Sequence, residues 1–542
     1  MKRIIFTINL LIATIALCAQ SLDEGKRHIY YERYQSAAQF FHSVLTQNPA
    51  NAEAWFLLTR SYLLQNEPAK ASDNLAKAPA SIQQELYYRL AKAALLINND
   101  KPAEALTLFT SAVEETKSKD ADILAAIADI HIADKKGDAN YAIELLQKAI
   151  KRDKKNASLL VSLGKAYRKM HNATEAYKMF KEAADKQSLA SAWYELGEIF
   201  VSQKNADVYL ENFTKAIAAD KEYGPAYNAL YDHYLYRNPA KAMDYFQLYK
   251  LYADKTLHQD YSYTDLLYLT DKFDSAIISA KKLIQTEGDK VQPRLYKLIA
   301  YCNQGTGDTS TALQYMKDYF QKEADSNFVV KDYENMAVLY GSSSIGETDS
   351  AMVYLEKAAE KTTDTTAVVG YYKNLASLAA KIKNYLAEAK WLGKYFHHSP
   401  QANNVTLFNW GLAAYKAQDY QQADSAFGLY TQKYPEQGFG YYWQARTNAA
   451  IDTSMQLGLA IPHYQKLTEV INKDSLTTTD KKWLSEAYFY LASYETNIAK
   501  EYEKAIEYFK NILVIDPSNE QAQKYIGMLE NTISSNSNIG SR

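Results

Sequence analysis

Small residues return along this chain at a fixed interval. Ala37, Ala71 and Ala105 stand 34 residues apart, followed four residues on by Phe41, Leu75 and Phe109, and three further by Val44, Ala78 and Ala112. Spacings of i, i+4 and i+7 mark one face of a helix with 3.6 residues per turn. A unit of this size cannot bury such a face alone, so neighbouring units must stack, and the chain builds an array rather than a globule. The same start continues from Ala142 and Ala176 to Ala460 and Ala505, with gaps that stretch to between 34 and 45 residues and place insertions in loops.

A second set of marks precedes each of these helices. Trp55, Leu58 and Tyr62 lie on one helical face, as do Leu163, Gly164 and Tyr167, and Trp193, Leu196, Gly197 and Phe200. The repeat is therefore a pair of helices. A glycine inside a helix costs about 1 kcal/mol relative to alanine, so Gly25, Gly164, Gly197 and Gly411 predict a close helix crossing, with Ala-type positions opposite. Pro49, Pro435 and Pro517 fall where second helices must stop. Only 11 Pro and 19 Gly in 542 residues leave too few turns for a sheet-rich fold. The 46 tyrosines suit half-buried faces between helices.

These residues resemble the tetratricopeptide repeat, with its W-x₂-L-G-x₂-Y, A-x₃-F-x₂-A and terminal P pattern. The match is strongest at 22–115 and 157–219, good at 405–435 and 484–517, and degenerate at 256–400. The resemblance implies an all-α fold, a right-handed α-solenoid superhelix of about fourteen helix pairs. We expect an N-terminal array over 20–255, a C-terminal array with degenerate repeats over 256–517, a capping helix over 518–533 and a disordered tail at 534–542.

The first residues have the three parts of a secretory signal. Lys2 and Arg3 precede an apolar run from Ile4 to Leu17, and Ala19 suits a cleavage site, which gives a signal peptide at 1–19. Lipidation at Cys18 is the weaker alternative, because Leu17 is large where lipoprotein signals want a small residue. Cys302 is then the one mature cysteine, so no internal disulfide is expected. No later segment is apolar enough to span a membrane.

Catalytic signatures are missing from the sequence. There is no phosphate loop, no H-E-x-x-H, no G-x-S-x-G and no G-x-G-x-x-G. His397 and His398 adjoin, but neighbours on a helix point about 100° apart and make poor joint ligands. Cys302 reads as a small buried hydrophobe. We expect no enzyme activity, no cofactor and no metal. A formal charge of −2 with alternating signs gives no nucleic-acid surface.

What remains is surface. In proteins resembling this one the first helices line a concave groove, and positions around the Leu–Gly pair look into it. Here these are Arg60, Lys165, Arg168, Tyr194, Glu198, Asn228 and Asp232. The family's peptide-carboxylate clamp is not present in the first three repeats. The expectation is an exported scaffold that binds a protein or peptide partner in the periplasm of a gram-negative bacterium. The alternative is an outer-membrane nutrient-binding lipoprotein resembling the SusD-like family, which has fewer repeats, longer insertions and a lipidated cysteine.

Overall fold

A computed structural model describes residues 22–342, 346–471 and 475–540. The expected signal peptide and Cys18 lie outside the described residues. Among the described residues every regular element is helical. A helix at 22–30 and Tyr34–Gln47 form the first pair, and thirteen more pairs follow, ending with Thr478–Tyr494 and Tyr502–Ile515. Contact density divides the chain into two compact units, Met1–Val291 and Gln292–Arg542. At the boundary expected near residue 255, a capping box of Thr256 and Gln259 opens the helix Leu257–Leu269.

One pair shows why the sequence folds this way. Asn156 caps the helix Ala157–Lys169 by accepting from the Ser158 N–H at 3.0 Å, and Asn172 caps Ala173–Lys186 by accepting from Glu175 at 3.1 Å. Each satisfies a backbone donor that the first helical turn leaves without a partner. Between the helices His171 takes a left-handed backbone, φ 58°. Glu32, Asn66 and Asp100 do the same at the 34-residue interval, with φ of 59°, 60° and 62°. One tight turn is reused along the array.

Ala176, Phe180 and Ala183 are fully buried, as are Ala37, Phe41, Ala105 and Phe109 in their own pairs. The glycines need a correction. Gly25, Gly164, Gly197 and Gly411 face Phe41, Phe180, Phe213 and Phe427, each sixteen residues later, and not alanines. A flat ring needs more depth than a methyl group, and the missing Cβ provides it.

The helix Glu520–Gly540 closes the C-terminal end, with Ala522 fully buried and Leu529 nearly so against the preceding pair. It runs past the expected limit of 533. Extending a formed helix adds one hydrogen bond per residue fixed, and Ser535 donates back to the Asn531 carbonyl at 2.8 Å.

Candidate functional site

The first unit closes on itself. Its first helix–helix turn, Tyr31 to Arg33, reaches the pairs that lie about 190 to 220 residues later in the chain. The Arg33 guanidinium donates to the carbonyls of Tyr252 at 2.7 Å and Glu222 at 3.2 Å. In return the Asp254 carboxylate accepts from the Gln35 N–H at 2.7 Å and from the Ser36 hydroxyl. Arg33 thus sits at the carbonyl end of the helix Pro239–Tyr252, and Asp254 at the N–H end of Tyr34–Gln47. Each charge meets the helix end whose partial charge is opposite to it. The Tyr31 hydroxyl adds a bond to Asp220 at 2.8 Å, and Tyr31 and Tyr223 pack with Ala190, Ala216 and Ala226.

This closure decides what the sequence candidates touch. Arg60 pairs with Asp129 at 2.8 Å, and the Ser162 hydroxyl donates to the same carboxylate at 2.9 Å. Lys165, at 3.2 Å, and Arg168 both pair with Glu195, whose side chain is only 3% exposed. Tyr194 packs against Phe213 and Tyr223, both with ring centroids 5.7 Å away, and burial pushes its hydroxyl pKa up. Burial also raises the Glu198 carboxyl, with the charge of Glu195 next in size. Asn228 donates to Asp232 at 3.4 Å, and burial raises that carboxyl too.

Lys165, Arg168, Tyr194 and Glu198 therefore come together around Glu195, while Arg60 belongs to a separate pair. A cavity of about 240 Å³ lies beside them, walled by Tyr31, Tyr34, Tyr194 and Tyr249, with Glu32 and Asn228 in its lining. Tyr194 and Asn228 were among the sequence candidates; Glu32, Tyr34, Tyr249 and Asp254 were not. A signal existed for Glu32. It stands 34 residues before the turn residue Asn66, so its place in a turn could be read, though not what that turn would meet.

The second unit has an open cleft of about 540 Å³ between the first helices of consecutive pairs, Val330–Ser342 and Thr365–Lys381. The Tyr371 hydroxyl spans the two helices to donate to Glu334 at 2.7 Å, and this bond holds the Glu334 carboxyl below its usual pKa. Val338 and Asn374 are exposed beside it.

Among the described residues no group of three or more His, Cys, Asp or Glu is placed to hold a metal ion, and no helix is long and apolar enough to cross a membrane. Cys302 is fully buried, and burial pushes its thiol up to about 12. Burial in apolar surroundings disfavours the thiolate there.

Family models described as tetratricopeptide repeat match residues 28–95, 161–229 and 406–436. These segments carry the turns at Glu32, Asn66 and His171 and the contacts of Gly164, Gly197 and Gly411 with their phenylalanines. The chain carries tetratricopeptide repeats. Among solved structures it is similar to the C-terminal part of a TPR repeat-containing protein from Cytophaga hutchinsonii, at 27% identity over 49% of this chain and 98% of that one, TM-score 0.29. A tetratricopeptide repeat protein from Parabacteroides merdae matches at 16% identity over 47% and 97%, TM-score 0.29. Yeast Tom70 matches at 14% identity over 78% and 100%, TM-score 0.28. No curated protein matches the chain.

Tetratricopeptide repeats point to a scaffold for protein–protein interaction, and the first-helix faces of the two units differ. In the second unit the first-helix face is an open cleft. In the first unit the corresponding face is partly covered by the protein's own N-terminal turn.

Proposed function

We propose that this tetratricopeptide repeat protein is exported and acts in the periplasm of a gram-negative bacterium as a non-enzymatic scaffold for a protein or peptide partner. The observation that carries the reading is the cleft between Val330–Ser342 and Thr365–Lys381. Its lining combines apolar and amide groups, the exposed Val338 and Asn374 with the half-buried Asn335. Such a surface can bury apolar area and satisfy a peptide backbone together, at little ordering cost to the scaffold. In the first unit, Tyr194 and Asn228 are the candidates that line a cavity. Lys165 and Arg168 serve there mainly to neutralise Glu195. The leader with Lys2, Arg3 and the apolar run to Leu17 supports export.

The test is a cross-linked pull-down from envelope fractions with tagged mature protein, wild type against Val338→Asp combined with Asn374→Ala. A partner recovered by wild type and depleted at least about tenfold by the double variant supports the reading. Equal recovery would remove the cleft from it. Mature protein that stays in the cytoplasm would remove export.

A further inference from the structure

The cavity of the first unit has a composition that scaffolding alone does not explain. Four tyrosines wall it, and the Glu32 carboxylate has no ion pair and no hydrogen bond among the described residues. The turn that carries Glu32 is fixed by its neighbours, since Arg33 is bonded to two carbonyls and Tyr31 to Asp220. The carboxylate is thus held in place without an ion pair of its own: burial raises its pKa, the Lys165 and Arg168 charges oppose that rise from a distance, and the Glu195 charge adds to it. Glu198 is also without a hydrogen-bond or ion-pair partner, and its carboxyl senses the charge of Glu32. The two nearby cations, Lys165 and Arg168, are both engaged by Glu195.

We propose that this cavity receives a single cationic side chain, arginine or lysine, from a bound polypeptide, with Glu32 as counter-charge and the rings of Tyr34, Tyr194 and Tyr249 as its walls. The proposal rests on the partner-binding reading and names the chemistry that would be recognised at this second place. Tyrosine faces attract a cation through the ring quadrupole, and an ionised acceptor roughly doubles the strength of a hydrogen bond. Size agrees. At about 240 Å³ the cavity falls below the about 300–1,000 Å³ of small-molecule pockets and suits one side chain rather than a whole cofactor. An anionic ligand would meet Glu32 and Glu198 with no free cation to offset them. Glu32 and Gln35 are exposed as residues, while the Glu32 carboxyl itself is partly desolvated by burial.

The experiment uses the full mature chain and two probes of nearly equal shape, argininamide and citrulline amide, followed by saturation-transfer NMR. Argininamide should bind at least about tenfold more tightly than its neutral isostere. Glu32→Gln should erase that preference with an unchanged melting curve, and Tyr249→Leu should weaken argininamide binding where Glu503→Gln does not. Lysinamide should compete with argininamide. No transfer to argininamide, equal binding of citrulline amide, or a full preference in Glu32→Gln would each overturn the proposal. None of these depends on recovering a partner, so the pull-down can succeed while this proposal fails.

Discussion

Gly164 and Phe180 are packed so closely that the ring occupies the space a side chain on Gly164 would need: the ring carbon Cδ1 lies 2.6 Å from where a Cβ would stand. Contacts of this length do not occur between real carbon atoms, so any substitution must move the ring. The equivalent places two and three pairs earlier are Ala93 and Thr59, which shows that the repeat can adjust to a small side chain. We expect Gly164→Ala to be near neutral, because better helix propensity offsets a modest shift of Phe180. Gly164→Leu should destabilise by roughly 1–3 kcal/mol through overpacking. Urea unfolding of the two variants separates the cases. A leucine variant as stable as wild type would mean that the ring has somewhere else to go.

The clasp between the first turn and the region 220–254 gives the second prediction. Asp254 caps a helix that its own N-cap residue, Arg33, leaves without a side-chain cap. Asp254→Ala should cost about 1–2 kcal/mol, as loss of an N-cap does, and should speed amide exchange at Gln35 and Ser36. Arg33→Ala should do the same at the other end of the clasp. The two changes should be non-additive, since one alone already frees the turn. Additive losses, with amide protection at Gln35 intact, would show that the turn is held by the packing of Tyr31 and Tyr223 instead.

How much of this was readable beforehand depends on range. Ala37, Phe41 and Val44 lie within one helix, and Asn172 caps the helix that follows it, so period and cap chemistry reveal both. The partner of Gly164 lies sixteen residues away across a turn, so the need for closeness was legible at the glycine itself while the identity of the neighbour was not. Asp254 meets Gln35 across 219 residues. That contact depends on small rotations accumulated over several stacked pairs, which no local pattern records. The same accumulation sets what Lys165 and Arg168 face, and it turned expected groove charges into partners of a buried carboxylate.

A consequence follows for those two residues. Read as groove charges, they could be reversed with little effect on folding. The structure predicts otherwise. Glu195 is buried on the first-helix face of its own pair, and losing both cations would leave its charge uncompensated. Breaking a buried pair costs about 3–5 kcal/mol, but Lys165 and Arg168 are 34% and 44% exposed and water screens them. Lys165→Glu with Arg168→Glu should therefore destabilise by roughly 1–3 kcal/mol. Adding Glu195→Gln should recover a good part of the loss. Unchanged melting in the double variant would show that Glu195 is solvated well enough to stand alone.

The last prediction concerns pH and His131. The ring is 4% exposed, packed between Phe109 and Tyr141, with centroids 5.0 and 5.3 Å away. Its Nδ1 accepts the backbone N–H of Asp138 at 2.9 Å, which requires that nitrogen to be unprotonated. Burial is the main cause that lowers the pKa from 6.5 to about 4; Asp138 and Asp134 oppose the shift, and Lys169, bonded to the His131 carbonyl, contributes to it. Because the folded value lies below the unfolded one, the contribution is complete above pH 6.5. It is lost as pH falls towards 4, where the unfolded chain binds a proton that the folded chain refuses. Between pH 7 and 5 the loss should be about 2 kcal/mol, at 1.36 kcal/mol per unit. His131→Asn keeps an acceptor for Asp138 and removes the titrating ring, so its stability should change less over that interval while the carboxylate background stays common to both proteins. Urea midpoints at the two pH values, compared between wild type and variant, measure the difference directly. Parallel pH dependence in the two would mean that the folded chain admits the proton, and that the His131 pocket opens before the first unit unfolds.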